Sequence, residues 1–250
     1  MTDPFPLAGK RILVTGAARR IGRGIALALA AEGARVAIHY STSHGEAQSA
    51  AAECTRLSGM EAAVYRARLD RVPEITALFD AVREDWGGLD ALVNNAARFT
   101  RRDVFDITEA DWDEVLDVNL KAVFFCAQHA ARLMRAEGVP GRIVNLSSLG
   151  GLQAWAEHVH YNASKAGVIH MTRALAKALA PDITVNSVAP GFIPFEERDY
   201  AQTQEGPVSQ TPAGRAGRVE EVASAVLFFL RSANYITGQT LAVDGGLSIR

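Results

Sequence analysis

Residues 10–34 read KRILVTGAARRIGRGIALALAAEGA, and the reading of this stretch decides the fold. A short apolar run, Ile12-Leu13-Val14, ends in Thr15-Gly16. A turn rich in Gly, Ala and Arg follows, and a helical pattern then places Ile21, Ile25 and Leu29 on one face. A buried strand feeding a tight turn and a helix presents backbone N–H groups to a pyrophosphate. Gly16 permits the turn, while Gly22 and Gly24 let the helix approach sheet and cofactor closely. Taken alone, such a turn is a weak motif that an ordinary strand-to-helix connection also produces.

Strand and helix patterns alternate from one end of the chain to the other. That predicts a doubly wound α/β domain of Rossmann type, a seven-stranded parallel sheet with helices on both faces. The expected strands are Arg11–Thr15, Arg35–Tyr40, Glu61–Arg68, Ala91–Asn94, Arg142–Leu146, Thr184–Ala189 and Thr240–Val243. Between them the pattern predicts helices over Ile21–Glu32, Glu46–Ser58, Pro73–Trp86, Thr108–Glu137, Tyr161–Ala180 and Val219–Arg231. No repeat, low-complexity tract or Pro/Ser-rich linker divides the chain, so residues 1–250 read as one domain.

Bulk properties narrow the function classes. The chain is 48% hydrophobic and 22% charged, the make-up of an ordinary soluble domain. Its net charge of −2, with no basic run longer than Arg19-Arg20 or Arg101-Arg102, argues against a nucleic-acid partner. Cys54 and Cys126 form no metal or disulfide spacing, which points to a reduced, cytoplasmic setting. Met1–Gly9 lacks the layout of a signal peptide, and no apolar run is long enough to cross a membrane. His129, His158, His160 and His170 have no partners at metal-ligand spacing, so no metal site is expected. Trp86, Trp112 and Trp155 read as packing residues, with Trp155 also a candidate for lining a substrate pocket.

One segment breaks the rhythm. Ile193–Gly217 is long, polar and rich in Gly and Pro, and leaves the carboxyl end of a strand, where open α/β sheets bind ligands. It reads as a substrate lid, with Phe192 and Phe195 at its root. The end of the second strand carries His39-Tyr40-Ser41-Thr42-Ser43 and no acid before Glu46. A carboxylate there would hold the ribose of NAD and repel a 2′-phosphate; hydroxyls, a histidine and the nearby Arg19 and Arg20 would welcome one. The expected cofactor is NADP(H).

Candidate chemistry gathers around the fifth strand. Asn145-Leu146-Ser147-Ser148 closes it, and thirteen residues past Ser148 comes Tyr161-Asn162-Ala163-Ser164-Lys165. Tyr161 and Lys165, spaced i, i+4, share one helix face. An ammonium beside a phenol lowers the phenol's pKa, and the pair can then exchange a proton with a carbonyl oxygen as hydride moves. Ser148 can hydrogen-bond the same oxygen.

These residues resemble the short-chain dehydrogenases/reductases, and the similarity covers essentially the whole chain. Thr15-Gly16-x5-Gly22 is similar to the family's cofactor turn, and Asn94-Asn95-Ala96-Ala97 to its motif after the fourth strand. Asn119 in Asp117-Val118-Asn119 is similar to its helix asparagine, and Ser148, Tyr161 and Lys165 to its catalytic serine, tyrosine and lysine. Pro190-Gly191-Phe192-Ile193 resembles the segment beside the nicotinamide, and Asp244-Gly245-Gly246 the usual terminus. The resemblance implies that Tyr161 is the general acid/base and that Lys165 also binds the nicotinamide ribose. Asn119 would hold a water in a proton relay reaching Lys165. Gly16, Arg19, Arg20, Ile21 and Gly22 would form the phosphate turn, and His39, Tyr40 and Ser41 the 2′-phosphate corner. Leu69 and Asp70 would flank the adenine, Asn95, Ala96 and Ala97 the adenosine ribose, and Pro190, Gly191 and Ile193 the nicotinamide. It also implies a homotetramer built through the long helices and the C-terminal strand, and a small-molecule carbonyl as substrate.

Two departures bear on the substrate. Arg20 stands where the family usually has a glycine, and with His39-Tyr40 it resembles the pteridine-reductase branch. That branch has an aspartate where this chain has Ser148. The catalytic residues and the stretch from Thr211 to Val222 resemble 3-oxoacyl thioester reductases instead. The sequence therefore leads to an NADPH-dependent carbonyl reductase of the acyl-thioester type, with pterin reduction and a non-catalytic NADP-binding regulator as rivals.

Overall fold

The computed structural model describes residues 5–194 and 208–249. Its strands are β1 (Arg11–Val14), β2 (Arg35–Tyr40), β3 (Ala63–Arg66), β4 (Ala91–Asn94), β5 (Gly141–Leu146), β6 (Ile183–Pro190) and β7 (Thr240–Val243). They form one sheet in the order β3-β2-β1-β4-β5-β6-β7, and every neighbouring pair runs parallel. Helices α1 (Arg20–Ala31), α2 (His44–Ser58) and α3 (Val72–Trp86) connect the first four strands. Helices α4 (Glu109–Leu116), α5 (Ala122–Ala136), α6 (Val159–Leu179) and α7 (Val219–Arg231) follow.

The apolar run of β1 explains the layering. Ile12, Leu13 and Val14 are all fully buried. Successive strand residues face opposite sides, so Ile12 and Val14 join a core with Ile25 and Leu29 of α1 and Val222 and Val226 of α7. Leu13 joins the opposite core, with Ile75 and Phe79 of α3 and Ala127 and Ala130 of α5. A central strand buried on both faces reads as a continuous apolar run, and each such side chain contributes roughly 1.5–3 kcal/mol on burial.

The sheet order reverses between β1 and β4, since β2 and β3 lie to one side and β5 to β7 to the other. The turns leaving β1 and β4 therefore diverge and open a crevice at the carboxyl ends of the strands, the usual ligand position in open α/β sheets. Strand β3 is shorter than expected, Ala63–Arg66 rather than Glu61–Arg68. The single helix expected over Thr108–Glu137 is also divided. Between α4 and α5 the residues Asp117–Lys121 form a π-helical turn, a rare widening that is frequent at functional sites. Of the expected lid, residues 195–207 lie outside the described residues, and Phe195 with them.

Candidate active site

The turn between β1 and α1 is held from both sides. The Gly16 N–H donates to His39 Nδ1 at 3.0 Å, and the Ala17 N–H to the His39 carbonyl at 2.9 Å. From the β4 side, Asn95 Nδ2 donates to the carbonyls of Thr15 and Gly16 at 2.9 and 3.1 Å. Thr15 Oγ1 in turn accepts from the N–H groups of Asn95 and Ala96. Helix α1 begins with no side-chain cap and no acidic residue in its first turn. Its first N–H groups and the positive end of its dipole thus face the crevice without an internal counter-charge, as an anion site requires.

Two positions on this turn are conformationally demanding. A Cβ on Gly22 would lie 2.2 Å from the Gly16 carbonyl oxygen and 2.5 Å from Asn95 Nδ2. Arg20 has φ of 54°, the left-handed region that favours glycine. A non-glycine residue there costs roughly 1–2 kcal/mol, so this arginine sits on an exposed, strained turn. Arg19 is also exposed and reaches Glu46 at 3.7 Å, a surface pair of small energetic worth. A dinucleotide phosphate fits this geometry: close-approach glycine, uncapped helix start and two cations.

His39 corrects the expectation that it meets a phosphate. Its ring is buried, Nδ1 accepts from Gly16, and Nε2 lies 3.1 Å from the Ala67 carbonyl, to which it donates. Burial pushes its pKa down to about 4, so it is a neutral pin between β1, β2 and β3 rather than a cation. The unfolded chain protonates this ring near pH 6.5, the folded chain only near 4. Stability from His39 is therefore full above about pH 6.5 and falls by roughly 3 kcal/mol as pH drops to 4. Urea unfolding at pH 7 and pH 4.5 should show His39→Gln losing clearly less stability across that interval than the parent chain. Equal losses would remove His39 as the source.

Neighbouring residues of the corner are also committed. The Tyr40 hydroxyl bonds His44 Nδ1 at 2.7 Å, and Ser41 is half-buried beside it. The Asp70 carboxylate accepts two bonds from Arg68, which hold its pKa below the usual range. Leu69 is buried, and Ala97 is exposed at the crevice after β4.

The catalytic candidates meet at the ends of β5 and α6. Ser148 follows β5 in extended conformation, and its Oγ accepts from the Gly150 N–H at 3.1 Å. Tyr161 lies in the first turn of α6 and Lys165 one turn later, and both are buried. Lys165 Nζ donates to the Leu146 carbonyl at 2.8 Å and lies 5.9 Å from the centre of the Tyr161 ring. Burial lowers the lysine pKa to about 8. The expectation that this ammonium lowers the phenol's pKa is reversed. Burial raises the Tyr161 pKa, and a hydrogen bond with Ser148 offsets part of that. The ammonium gives one of its three N–H groups to a main-chain carbonyl, and the phenol's own burial is the largest influence on its pKa.

Asn119 sits within the π-helical turn, fully buried. Its Oδ1 accepts from the Arg98 N–H, and Nδ2 donates to the Arg98 carbonyl and to Ser164 Oγ. Its side chain is thus occupied in joining the turn after β4 to α6, and holding a water would fall to main-chain groups of the widened turn. Pro190 and Ile193 are buried at the end of β6, and a Cβ on Gly191 would lie 2.7 Å from Asp244 Cα.

Phe99 escaped the sequence reading. It is 62% exposed, yet its ring lies edge-on to Tyr161 at 4.7 Å and stacks on His158 at 4.6 Å. Periodicity gives no signal for a single aromatic in a loop. Of the tryptophans, Trp86 is buried as expected, Trp155 lies parallel to the Tyr161 ring at 6.3 Å, and Trp112 is 42% exposed rather than packed away.

A parallel sheet with this crossover, a glycine turn at its switch point and Ser148, Tyr161 and Lys165 gathered beside it define a doubly wound α/β oxidoreductase. Residues 16–248 match the family model described as enoyl-(acyl carrier protein) reductase. The chain is 40% identical to 3-oxoacyl-[acyl-carrier-protein] reductase of Staphylococcus aureus, covering 95% of this chain and 98% of that protein. Its counterpart from Synechocystis is 38% identical over 96% and 98% of the two chains. Among solved structures, a short-chain type dehydrogenase/reductase from Mycobacterium marinum is similar with a TM-score of 0.91, 34% identity and coverage of 98% of both chains. An acetoin dehydrogenase from Salmonella typhimurium is similar at 0.88 and 32%, covering 96% of this chain and 98% of that one. This chain belongs to the short-chain dehydrogenase/reductase family and is an oxidoreductase acting on carbonyl or alcohol groups.

Proposed function

We propose that the protein is an NADPH-dependent carbonyl reductase whose substrate is a 3-oxoacyl thioester or a close analogue. The observation that carries this reading is the convergence of Ser148, Tyr161 and Lys165 at the carboxyl ends of the strands, next to the uncapped start of α1. Similarity to 3-oxoacyl-[acyl-carrier-protein] reductases supports the thioester. NADPH, when bound, supplies hydride. Tyr161 Oη donates its proton to the carbonyl oxygen, and the Ser148 hydroxyl donates a hydrogen bond to the same oxygen. Lys165 holds the nicotinamide ribose and orients the phenol, and the widened turn at Asn119 holds the water that reaches it. Gly16, Ile21 and Gly22 line the pyrophosphate, Arg19, Arg20, Tyr40 and Ser41 the 2′-phosphate, and Leu69 and Asp70 the adenine. Asn95, Ala96 and Ala97 pass the adenosine ribose, and Pro190, Gly191 and Ile193 the nicotinamide. Four copies assemble, which a solution mass of one chain would refute.

NADPH oxidation with an acetoacetyl thioester and with a dihydropterin tests the substrate. Turnover of the thioester is expected; turnover of the dihydropterin alone would transfer the reading to pterin reduction. Arg20 tests the cofactor. A charged hydrogen bond to phosphate is worth about 1.5–3 kcal/mol, so Arg20→Gly should raise the KM for NADPH about tenfold or more. The KM for NADH should hardly move, and stability should not fall, because glycine relieves the left-handed strain. An unchanged NADPH-to-NADH preference would remove Arg20 from the phosphate corner.

A further inference from the structure

Three rings, Phe99, Trp155 and His158, pack around the ring of Tyr161. Phe99 meets Tyr161 edge-on at 4.7 Å and 81°, and Trp155 lies nearly parallel to Tyr161 at 6.3 Å and 8°. Phe99 also meets Trp155 edge-on at 6.5 Å and stacks on His158 at 4.6 Å and 13°. Phe99 nonetheless remains 62% exposed beside the phenol. What sets this ring apart from other exposed hydrophobics is its place, in edge-on contact with Tyr161.

The loop that carries Phe99 is braced. The Thr100 carbonyl bonds His158 Nδ1 at 2.8 Å, and the Thr100 hydroxyl bonds His160 Nε2 at 2.7 Å. The Arg102 N–H donates to the Glu157 carbonyl at 2.9 Å. The cations of the same loop are each paired with a carboxylate: Arg98 with Glu114, Arg101 with Glu157, and Arg102 with Asp111. The loop therefore offers a substrate a fixed aromatic face and charges that are already compensated. Trp155 is held similarly, since its carbonyl accepts from Asn162 Nδ2 at 3.0 Å and its ring would meet a Cβ on Gly150 at 2.9 Å.

From this arrangement we infer that Phe99 and Trp155 are specificity-determining residues that select a planar aromatic substituent on the carbonyl carbon over a flexible alkyl one. The inference rests on the carbonyl-reductase reading above and narrows it, to 3-oxoacyl compounds whose 3-substituent is a ring. A flat group placed against Phe99 and Trp155 gains edge-to-face or offset stacking with each ring beyond its burial. It also loses less rotational freedom than an alkyl chain on being fixed.

The test compares two N-acetylcysteamine thioesters that differ only in that substituent, benzoylacetyl and acetoacetyl, with NADPH. The parent enzyme should show at least a tenfold higher kcat/KM for the benzoyl compound. Phe99→Ala should bring the ratio close to one, Phe99→Leu should do nearly the same despite its bulk, and Phe99→Tyr should restore the preference. A loss of structure lowers both rates and leaves the ratio, so the ratio separates selection from misfolding. A parent ratio of one or less, with the acetoacetyl compound turned over, overturns the inference and leaves the reductase reading standing. No turnover of either compound overturns the 3-oxoacyl thioester reading on which the inference rests.

Discussion

Tyr161→Phe is expected to reduce turnover by about 10²- to 10⁴-fold while cofactor binding persists, because general acid transfer is typically worth that much. The substitution removes one oxygen from a ring that Phe99, Trp155 and His158 already pack against, so the ring's position should survive. The environment also sets a direction. Burial raises the phenol's pKa, and the Lys165 ammonium donates to the Leu146 carbonyl. A phenol with a raised pKa stays protonated at neutral and mildly alkaline pH. It is thereby ready to donate in reduction and must first lose its proton in oxidation. Reduction should accordingly hold its rate up to alkaline pH, while oxidation of the matching alcohol should climb with pH over the same range. Parallel pH profiles for reduction and oxidation would contradict the assignment, as would unchanged turnover in Tyr161→Phe. Fluorescence titration with NADPH distinguishes a lost proton donor from a lost binding site.

The fold was legible wherever burial imposes a period. Strands β2, β4 and β7 and helix α7 match the sequence expectation residue for residue, since each lies between turn signals. The division of Thr108–Glu137 was not legible. The π-helical turn at Asp117–Lys121 keeps helical composition, and what reshapes it is tertiary: Asn119 bonds both main-chain groups of Arg98 and the hydroxyl of Ser164. Among the candidate site residues, motif spacing singled out Gly16, Ser148, Tyr161 and Lys165 because those positions lie at strand ends or one helical turn apart. It misassigned the chemistry of His39 and the sign of the Tyr161 shift for one shared reason. A residue type announces what it can do, whereas burial and hydrogen-bond partners decide what it does, and both depend on neighbours distant in sequence. Phe99 illustrates the same limit. Its partners Trp155, His158 and Tyr161 come from a different part of the chain, so no local pattern marks it.

Gly22→Ala should have the largest effect on the folded state. The added methyl would sit 2.2 Å from the Gly16 carbonyl oxygen and 2.5 Å from Asn95 Nδ2, so something must move. Neither neighbour can do so cheaply. The Gly16 carbonyl accepts from Asn95 Nδ2, and the Gly16 N–H is held by the buried His39 ring. Relief therefore breaks hydrogen bonds worth about 1 kcal/mol each, on top of an overpacking cost of about 1–3 kcal/mol. A total near 3 kcal/mol, read as a shift of the urea midpoint, is expected, together with loss of NADPH affinity because the same turn is the one proposed to hold the pyrophosphate. Gly24→Ala should cost less, since its methyl would meet the side chain of Val219 at 2.1 Å rather than main chain. Gly45→Ala supplies the control: no atom lies within 4 Å of its added Cβ, and alanine in α2 should stabilise by about 0.5–1 kcal/mol. The three variants change the same atom in the same direction, so their ranking isolates the contact. Should Gly22→Ala prove as stable as Gly45→Ala with NADPH affinity intact, the turn would be pliable, and the close approach of α1 to the loop after β4 would have no bearing on the cofactor.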